Sequence, residues 1–309
     1  MAELSSQFPQ AAASRFRPAS VEELRVFFQT TPTPFTQPRG FAPQPDDVVV
    51  ATFAKSGTTW MQQIVHGLRT GGSMDFAEIS LVVPFMEAAT FMGIDLDGPQ
   101  IAEPRAFKTH LGWSQAPKGC RYIYVMRAPA DALLSFYHFM SGVFFEAGSI
   151  DIDDFAREMF LSPPPMGRYW EHLRGWWEQR DRERILYLCF EDMKQDLEAA
   201  VRRVAEFIGF SGDEKRIAIA TRQARFEFME EHVTRFDEHP ITEAMVRLMG
   251  LPPVRSMSKV RAGRVGDGAK AICSEIMASL DEEWERCIGV PLGIQSYEEM
   301  RVRVAERRE

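Results

Sequence analysis

The sequence predicts an α/β fold, a P-loop-like three-layer domain with a central parallel sheet flanked by helices. Three observations predict it. Unbroken β-branched and apolar runs alternate with helical patterns, as parallel strands joined by crossovers require. The first such run ends in a small-residue loop with a lysine, Phe53-Ala54-Lys55-Ser56-Gly57-Thr58-Thr59-Trp60. The chain of 309 residues is 45% hydrophobic and 26% charged, enough to bury a core without staples.

Each element follows from local pattern. Residues 1–46 are read as an arm, because Pro32, Pro34, Pro38, Pro43 and Pro45 interrupt helix and strand alike. Within it, Val21 to Gln29 is expected as a short helix capped by Ser20, with Leu24, Phe27 and Phe28 on one face. Residues 47–309 are read as one domain, since no linker divides them. Val48 to Phe53 is the first strand. The following helix carries Trp60, Met61, Ile64, Val65 and Leu68 on one stripe and stops at Gly71-Gly72. Further strands are expected at Arg105 to Thr109, Tyr122 to Met126 and Ile185 to Phe190. Helices are expected from near Pro129, and at Glu171 to Arg180, Leu197 to Ile208, Glu214 to Gln223 and Ile272 to Cys287. Right-handed crossovers and ligand binding at the carboxyl ends of strands then place the functional loops just after each strand.

Composition excludes several classes. A net charge of −8 argues against a nucleic-acid partner, while leaving room for a local basic site. Cys120, Cys189, Cys273 and Cys287 lie far apart with no CxxC pair, so neither a disulfide framework nor a thiolate zinc site is expected, and a reducing, cytoplasmic setting is the simplest reading. The N-terminal residues have no basic region followed by an apolar one, so no signal peptide is expected. The longest uncharged apolar-looking run, Ala132 to Phe145, is too short and too polar for a membrane span.

The loop after the first strand presents backbone N–H groups and a positive helix end, which suit a phosphate. Lys55 adds a full charge, and Thr58 and Thr59 add hydroxyl donors. The lysine precedes the glycine, so the GxxxxGK[ST] pattern of magnesium–ATP loops is not met. Trp60 reads either as a core-facing aromatic or as a face for a purine ring. An acidic stretch with His232 and His239 among Glu230, Glu231, Asp237 and Glu238 fits no metal-ligand spacing and reads as a solvated face.

Lys55-Ser56-Gly57-Thr58-Thr59-Trp60 resembles the 5′-phosphosulfate loop of the cytosolic-type sulfotransferases, and three more segments match that family in order. Phe107-Lys108-Thr109-His110-Leu111 is similar to its catalytic strand end. Arg127, with Ser135 eight positions on, is similar to its 3′-phosphate site. Arg261-Ala262-Gly263-Arg264-Val265-Gly266-Asp267 is similar to its late glycine-rich loop. Together these span residues 48 to about 287. The resemblance implies a sulfuryl donor, 3′-phosphoadenosine 5′-phosphosulfate, leaving adenosine 3′,5′-bisphosphate, with no metal. It implies His110 as general base, Lys55 against charge on the leaving phosphate, and Lys108 supporting the transferring group; Lys108 and His110, two apart on a strand, share a face. It also implies Lys55, Ser56, Gly57, Thr58, Thr59, Trp60, Arg127, Ser135, Phe226, Arg261 and Gly263 as donor-binding residues.

The match has departures. Ala262 stands where the family has a lysine, Gly268 where a tryptophan follows Gly-Asp, and Phe190 where a tyrosine precedes Glu-Asp; Arg225 beside Phe226 is unusual. The family's dimerisation pattern is not recognisable after Gly266, so no dimer is inferred. For the acceptor, Phe85, Phe139 and Phe144 are candidates to wall an apolar pocket, in company with Met86, Phe91, Met92 and Phe145; each reads equally as core. Such a pocket fits a small phenol, alcohol or amphipathic amine better than a sugar polymer. Two other functions stay open at this point: a P-loop nucleotide-dependent kinase, and a non-catalytic nucleotide-binding descendant of a sulfotransferase.

Overall fold

The computed structural model describes residues 16–162, 168–254 and 263–306. Four strands form one parallel sheet, β1 (Val48–Thr52), β2 (Ala106–Thr109), β3 (Arg121–Met126) and β4 (Ile185–Cys189), in the order β2-β1-β3-β4. Val50 pairs with Lys108 on one side and Ile123 on the other, while Val125 pairs with Leu188. The sheet is buried on both faces, which is why its strands read as near-continuous apolar runs. Val48, Val50, Ile123 and Val125 pack into one core with Met61, Ile64, Val65 and Leu68 of the helix Thr58–Thr70. Val49, Ala51, Phe107, Tyr122 and Tyr124 pack into the other, with Trp170, Trp176 and Trp177.

The strand ends differ from expectation by a residue. Phe53 and Phe190 fall outside β1 and β4; Phe190 opens the short helix Phe190–Gln195 instead, and β3 starts at Arg121. Two helices shift, to Tyr169–Trp177 and Ser274–Trp284, the second continuing through a π turn at Glu285–Gly289. Helices Leu197–Ile208 and Glu214–Gln223 keep their expected bounds. Trp60 departs from the expected stripe: its four stripe partners are fully buried, and it is not.

The segment before β1 is stitched to the rest of the molecule. Helix Val21–Thr30 buries Leu24 completely. Arg17 donates to the carbonyls of Val143, at 3.0 Å, and Pro252, at 2.7 Å. Thr36 N–H donates to Glu87 O at 3.0 Å. At the amino ends of the strands, Arg105 grips Asp47 through two hydrogen bonds of 2.9 and 2.6 Å, both side chains buried. That pair ties β2 to β1 at the end away from the site. Among the described residues no helix is long and apolar enough to cross a membrane.

Candidate active site

Sheet order gathers the loops. β1 lies between β2 and β3, so the loop after β1 is flanked by the residues that follow β2 (His110) and β3 (Arg127), with Phe190 beyond β4. The loop itself turns sharply. Lys55 has φ 69° and Gly57 φ 100°. At Gly57 that backbone suits only glycine, and a Cβ there would also meet the Phe190 ring at 3.0 Å. Gly57 caps the helix Thr58–Thr70 with no side-chain bond, so no side chain occupies the first-turn N–H groups.

A cleft of about 300 Å³ opens over this loop. Its lining includes Lys55, Lys108, Arg127, Lys194, Arg225 and Arg264, against the single carboxylate of Glu227. On a chain of net charge −8 this is a focused positive field. Trp60, Phe190 and Phe226 add aromatic surfaces; Trp60 Nε1 donates to Ala224 O at 2.7 Å, which fixes the indole at the cleft wall. Arg127 lies over the Phe190 ring, 4.2 Å from its centroid, and donates to Lys55 O at 3.1 Å and Arg264 O at 3.3 Å. Ser135 lines the same cleft. Gly263 has φ 56°, and a Cβ there would come within 2.9 Å of the Phe226 ring.

The late loop is anchored by a residue that sequence reasoning missed. Asp131, buried, accepts from Gly266 N–H at 2.8 Å and Gly268 N–H at 2.7 Å. Gly268 lies against the Ala130–Asp131 backbone, where a Cβ would sit 2.3 Å from the Ala130 carbonyl. At this approach of loop to helix there is no room for a side chain at position 268. Glu191 plays a similar part, accepting from Ala128 N–H at 3.0 Å and Tyr297 Oη–H at 2.6 Å, and so pinning the loop after β3. Arg261 and Ala262 lie outside the described residues. Of the expected donor-binding residues Lys55 to Trp60, Ser56 alone does not line the cleft: its side chain is buried and its N–H donates to Phe53 O at 3.3 Å.

His110 stands just past β2. Its Nδ1 lies 3.0 Å from Thr52 O, and a carbonyl can only accept, so Nδ1 carries the proton and the neutral ring keeps its basic lone pair on Nε2. Thr52 Oγ1 also lies 3.3 Å from Nδ1 and 2.6 Å from Thr58 Oγ1, coupling the histidine to the first turn of the helix. Below it, Glu87 accepts from His110 N–H at 2.7 Å and from Thr109 Oγ1–H at 3.0 Å. Burial pushes the Glu87 carboxyl up to about 7, against the pull of these hydrogen bonds. Lys108 is 1% exposed and ion-paired with Glu238, its Nζ 4.2 Å from the Phe85 ring centroid.

A second cavity, of about 670 Å³, lies on the other side of His110. Phe85, Phe139 and Phe144 line it, with Phe136, Met140, Met159, Met245 and Met249. Phe28 and Phe35, from before β1, complete the wall, packing on Phe144 and Phe85 with ring centroids 5.2 Å apart in each case. His172 also lines it, held by Tyr124 at 3.0 Å; burial pushes its pKa down to about 4, so it is neutral. Glu87 and Glu238 are the buried carboxylates of this lining. Glu87 was not singled out from sequence, and Glu238 was read with Asp237 as part of a solvated acidic face; both are instead buried, because a tertiary contact rather than local sequence carries them inward. Among the described residues, no group of three or more His, Cys, Asp or Glu is placed to hold a metal ion, and none of the four cysteines is in a disulfide.

A positive phosphate-sized cleft and an apolar cavity meeting at one histidine define a group-transfer enzyme of the P-loop-like α/β class. A sulfotransferase domain model matches residues 45–286. Human sulfotransferase 1C2 is 29% identical over 75% of this chain and 80% of its own length. Rabbit amine sulfotransferase is 35% identical over 60% of this chain and 63% of its own length. Among solved structures, mouse sulfotransferase SULT7A1 complexed with PAP superposes with a TM-score of 0.63 at 18% identity, covering 89% of this chain and 93% of that one. Retinol dehydratase in complex with androsterone and the inactive cofactor PAP superposes with a TM-score of 0.61 at 21% identity, over 79% and 80%. The chain belongs to the sulfotransferase family.

Proposed function

We propose that the protein transfers a sulfuryl group from 3′-phosphoadenosine 5′-phosphosulfate to a hydroxyl or amine of a small, partly apolar acceptor, with His110 as general base. The observation that carries this is the junction of the two cavities. Among the described residues, only Lys55 and His110 line both the cationic cleft and the aromatic cavity. A base and a cation at the meeting point are what the transfer needs.

The donor brings an activated sulfuryl group on a phosphate leaving group. Lys55, the N–H groups of the Gly57–Thr59 turn and the Thr58 and Thr59 hydroxyls hold the 5′-phosphate. Arg127 and Ser135 hold the 3′-phosphate, and Trp60 and Phe226 flank the adenine, with Gly263 permitting the approach. Arg261 would add a further cation from its loop. His110 Nε2 takes the proton of the acceptor hydroxyl as that oxygen forms its bond to sulfur. The bond from sulfur to the phosphate oxygen breaks, and the charge left on the bisphosphate falls to Lys55 and the loop N–H groups. The products are a sulfate ester, a proton on His110 and adenosine 3′,5′-bisphosphate.

Phe85, Phe139 and Phe144 wall the acceptor compartment, and Phe28 and Phe35, from the segment before β1, close it. Four cysteines outside any disulfide and the cytosolic-type motifs support a cytoplasmic setting. The test is calorimetric titration with adenosine 3′,5′-bisphosphate, then turnover with a panel of phenols, alcohols and amines. Magnesium-independent bisphosphate binding with acceptor-dependent release of product supports the reading. Preference for magnesium–ATP, or bisphosphate binding without turnover of any acceptor, overturns it.

A further inference from the structure

Lys108 and Glu238 are 130 residues apart and meet as a buried ion pair, 1% and 7% exposed at the side chain. The lysine lines the cationic cleft and the glutamate lines the aromatic cavity, so the pair bridges the two compartments. The glutamate is firmly held. The same oxygen that meets Lys108 accepts from Ser80 Oγ–H at 3.1 Å; Ser80 is in turn held by Gln62 at 3.3 Å, which also donates to Val83 O at 2.9 Å. Its backbone is left-handed, at φ 62°. Among the described residues only Lys55 and Glu238 take that conformation without being glycine. Such backbone is strained and persists where the surroundings over-determine it. Both instances lie at this one junction.

We propose that Glu238 is a positioning residue for the transfer: its carboxylate competes with the donor's sulfonate for Lys108. The inference rests on the donor reading above. An ammonium at this depth without a counter-charge is strongly disfavoured by desolvation, and Glu238 supplies the counter-charge while the cleft holds no sulfonate. A sulfonate placed against Lys55 and His110 offers Lys108 a second anion. The lysine is then shared, and its grip on the ground-state sulfonate is tempered. In a loose transition state negative charge leaves the sulfuryl group for the phosphate. A lysine bound fully to the sulfonate would stabilise the substrate more than the transition state, which slows the step. Holding Lys108 on Glu238 avoids that.

The two nucleotides differ in the sulfonate, so they isolate the effect. Dissociation constants for 3′-phosphoadenosine 5′-phosphosulfate and adenosine 3′,5′-bisphosphate are measured on the full chain and on Glu238→Gln. Removing the competitor should tighten the sulfonate donor by about tenfold relative to the bisphosphate, the worth of one charge-assisted contact. Turnover with a fixed phenol acceptor should fall at the same time. Lys108→Met in the Glu238→Gln background should return the ratio to the wild-type value or below. An unchanged ratio in Glu238→Gln, with the bisphosphate bound normally, means the pair is only structural and overturns the proposal. Failure of wild-type protein to bind either nucleotide overturns the donor reading instead. Glu238→Asp, which keeps the charge and draws it back by one methylene, takes the place of Glu238→Gln if that variant does not fold; a smaller shift of the same sign is then expected, and no shift overturns the proposal.

Discussion

The two compartments on either side of His110 are built in different ways. The cationic cleft is assembled from short loops that follow the parallel strands, with glycines, exposed backbone N–H groups and cations placed by strand order. The aromatic cavity is assembled from side chains far apart in sequence, from Phe28 before β1 to Met249 after the helix His239–Leu248. The first is a polar lock for a ligand of constant shape. The second is a flexible aromatic and methionine-rich wall that can be re-cut by changing side chains alone. One half of the site therefore keeps its chemistry in the fold, and the other keeps its specificity in the packing.

Removing His110, the proposed base at the junction, tests the comparison most severely. His110→Ala should lower turnover by about 10²–10⁴-fold while leaving bisphosphate binding nearly unchanged; steady-state rates beside calorimetry check it, and retained turnover would break the assignment. Arg127→Ala should act on the donor side only. Losing a charged hydrogen bond of about 1.5–3 kcal/mol weakens bisphosphate binding by about 10–100-fold, with a much smaller change in acceptor KM. Phe28→Ala should do the reverse: an acceptor KM raised by about three- to tenfold, since part of an aromatic wall is lost, with bisphosphate affinity kept. Equal effects of that variant on both ligands would mean that the compartments are not independent.

The mildest prediction concerns Glu87, which supports the junction from below. Its ordinary pKa of 4.5 rises to about 7 because of burial. Between those values the folded chain keeps a proton that the unfolded chain has released. The stability due to this group is complete below about pH 4.5 and is lost as pH rises toward 7. Glu87→Gln should remove that decline, flattening stability across the window by about 1–3 kcal/mol relative to wild type. Denaturant unfolding of both proteins at the two ends of the window reads the difference; parallel curves would place the proton elsewhere.

Legibility in the sequence followed the same division. Lys55, Thr58 and Thr59 were legible because a strand pattern marks where the loop begins and phosphate binding favours such a turn, while Lys108, His110, Arg127 and Ser135 were singled out with the help of the resemblance to the sulfotransferases. All of them line the cationic cleft. Asp131 and Glu191, which pin the surrounding loops, carry no local signal, since each acts through partners more than 60 residues away. The proline-rich segment read as an arm, and prolines do argue against regular structure there. They say nothing of the deep burial of Leu24 or of Phe28 and Phe35 against the cavity, because those depend on what surface the arm meets.

By itself, the sequence determined the parallel α/β sheet, the phosphate loop and the placing of a histidine and a lysine at one strand end. These depend on residues that are neighbours in the chain, where period and spacing are enough. Only the tertiary structure decided that Lys108 faces Glu238, that Glu87 carries the His110 backbone, and that the arm walls the second compartment. Each is a contact between distant segments, and its energy lies in burial and charge pairing that exist only once the sheet and its helices have brought those segments together.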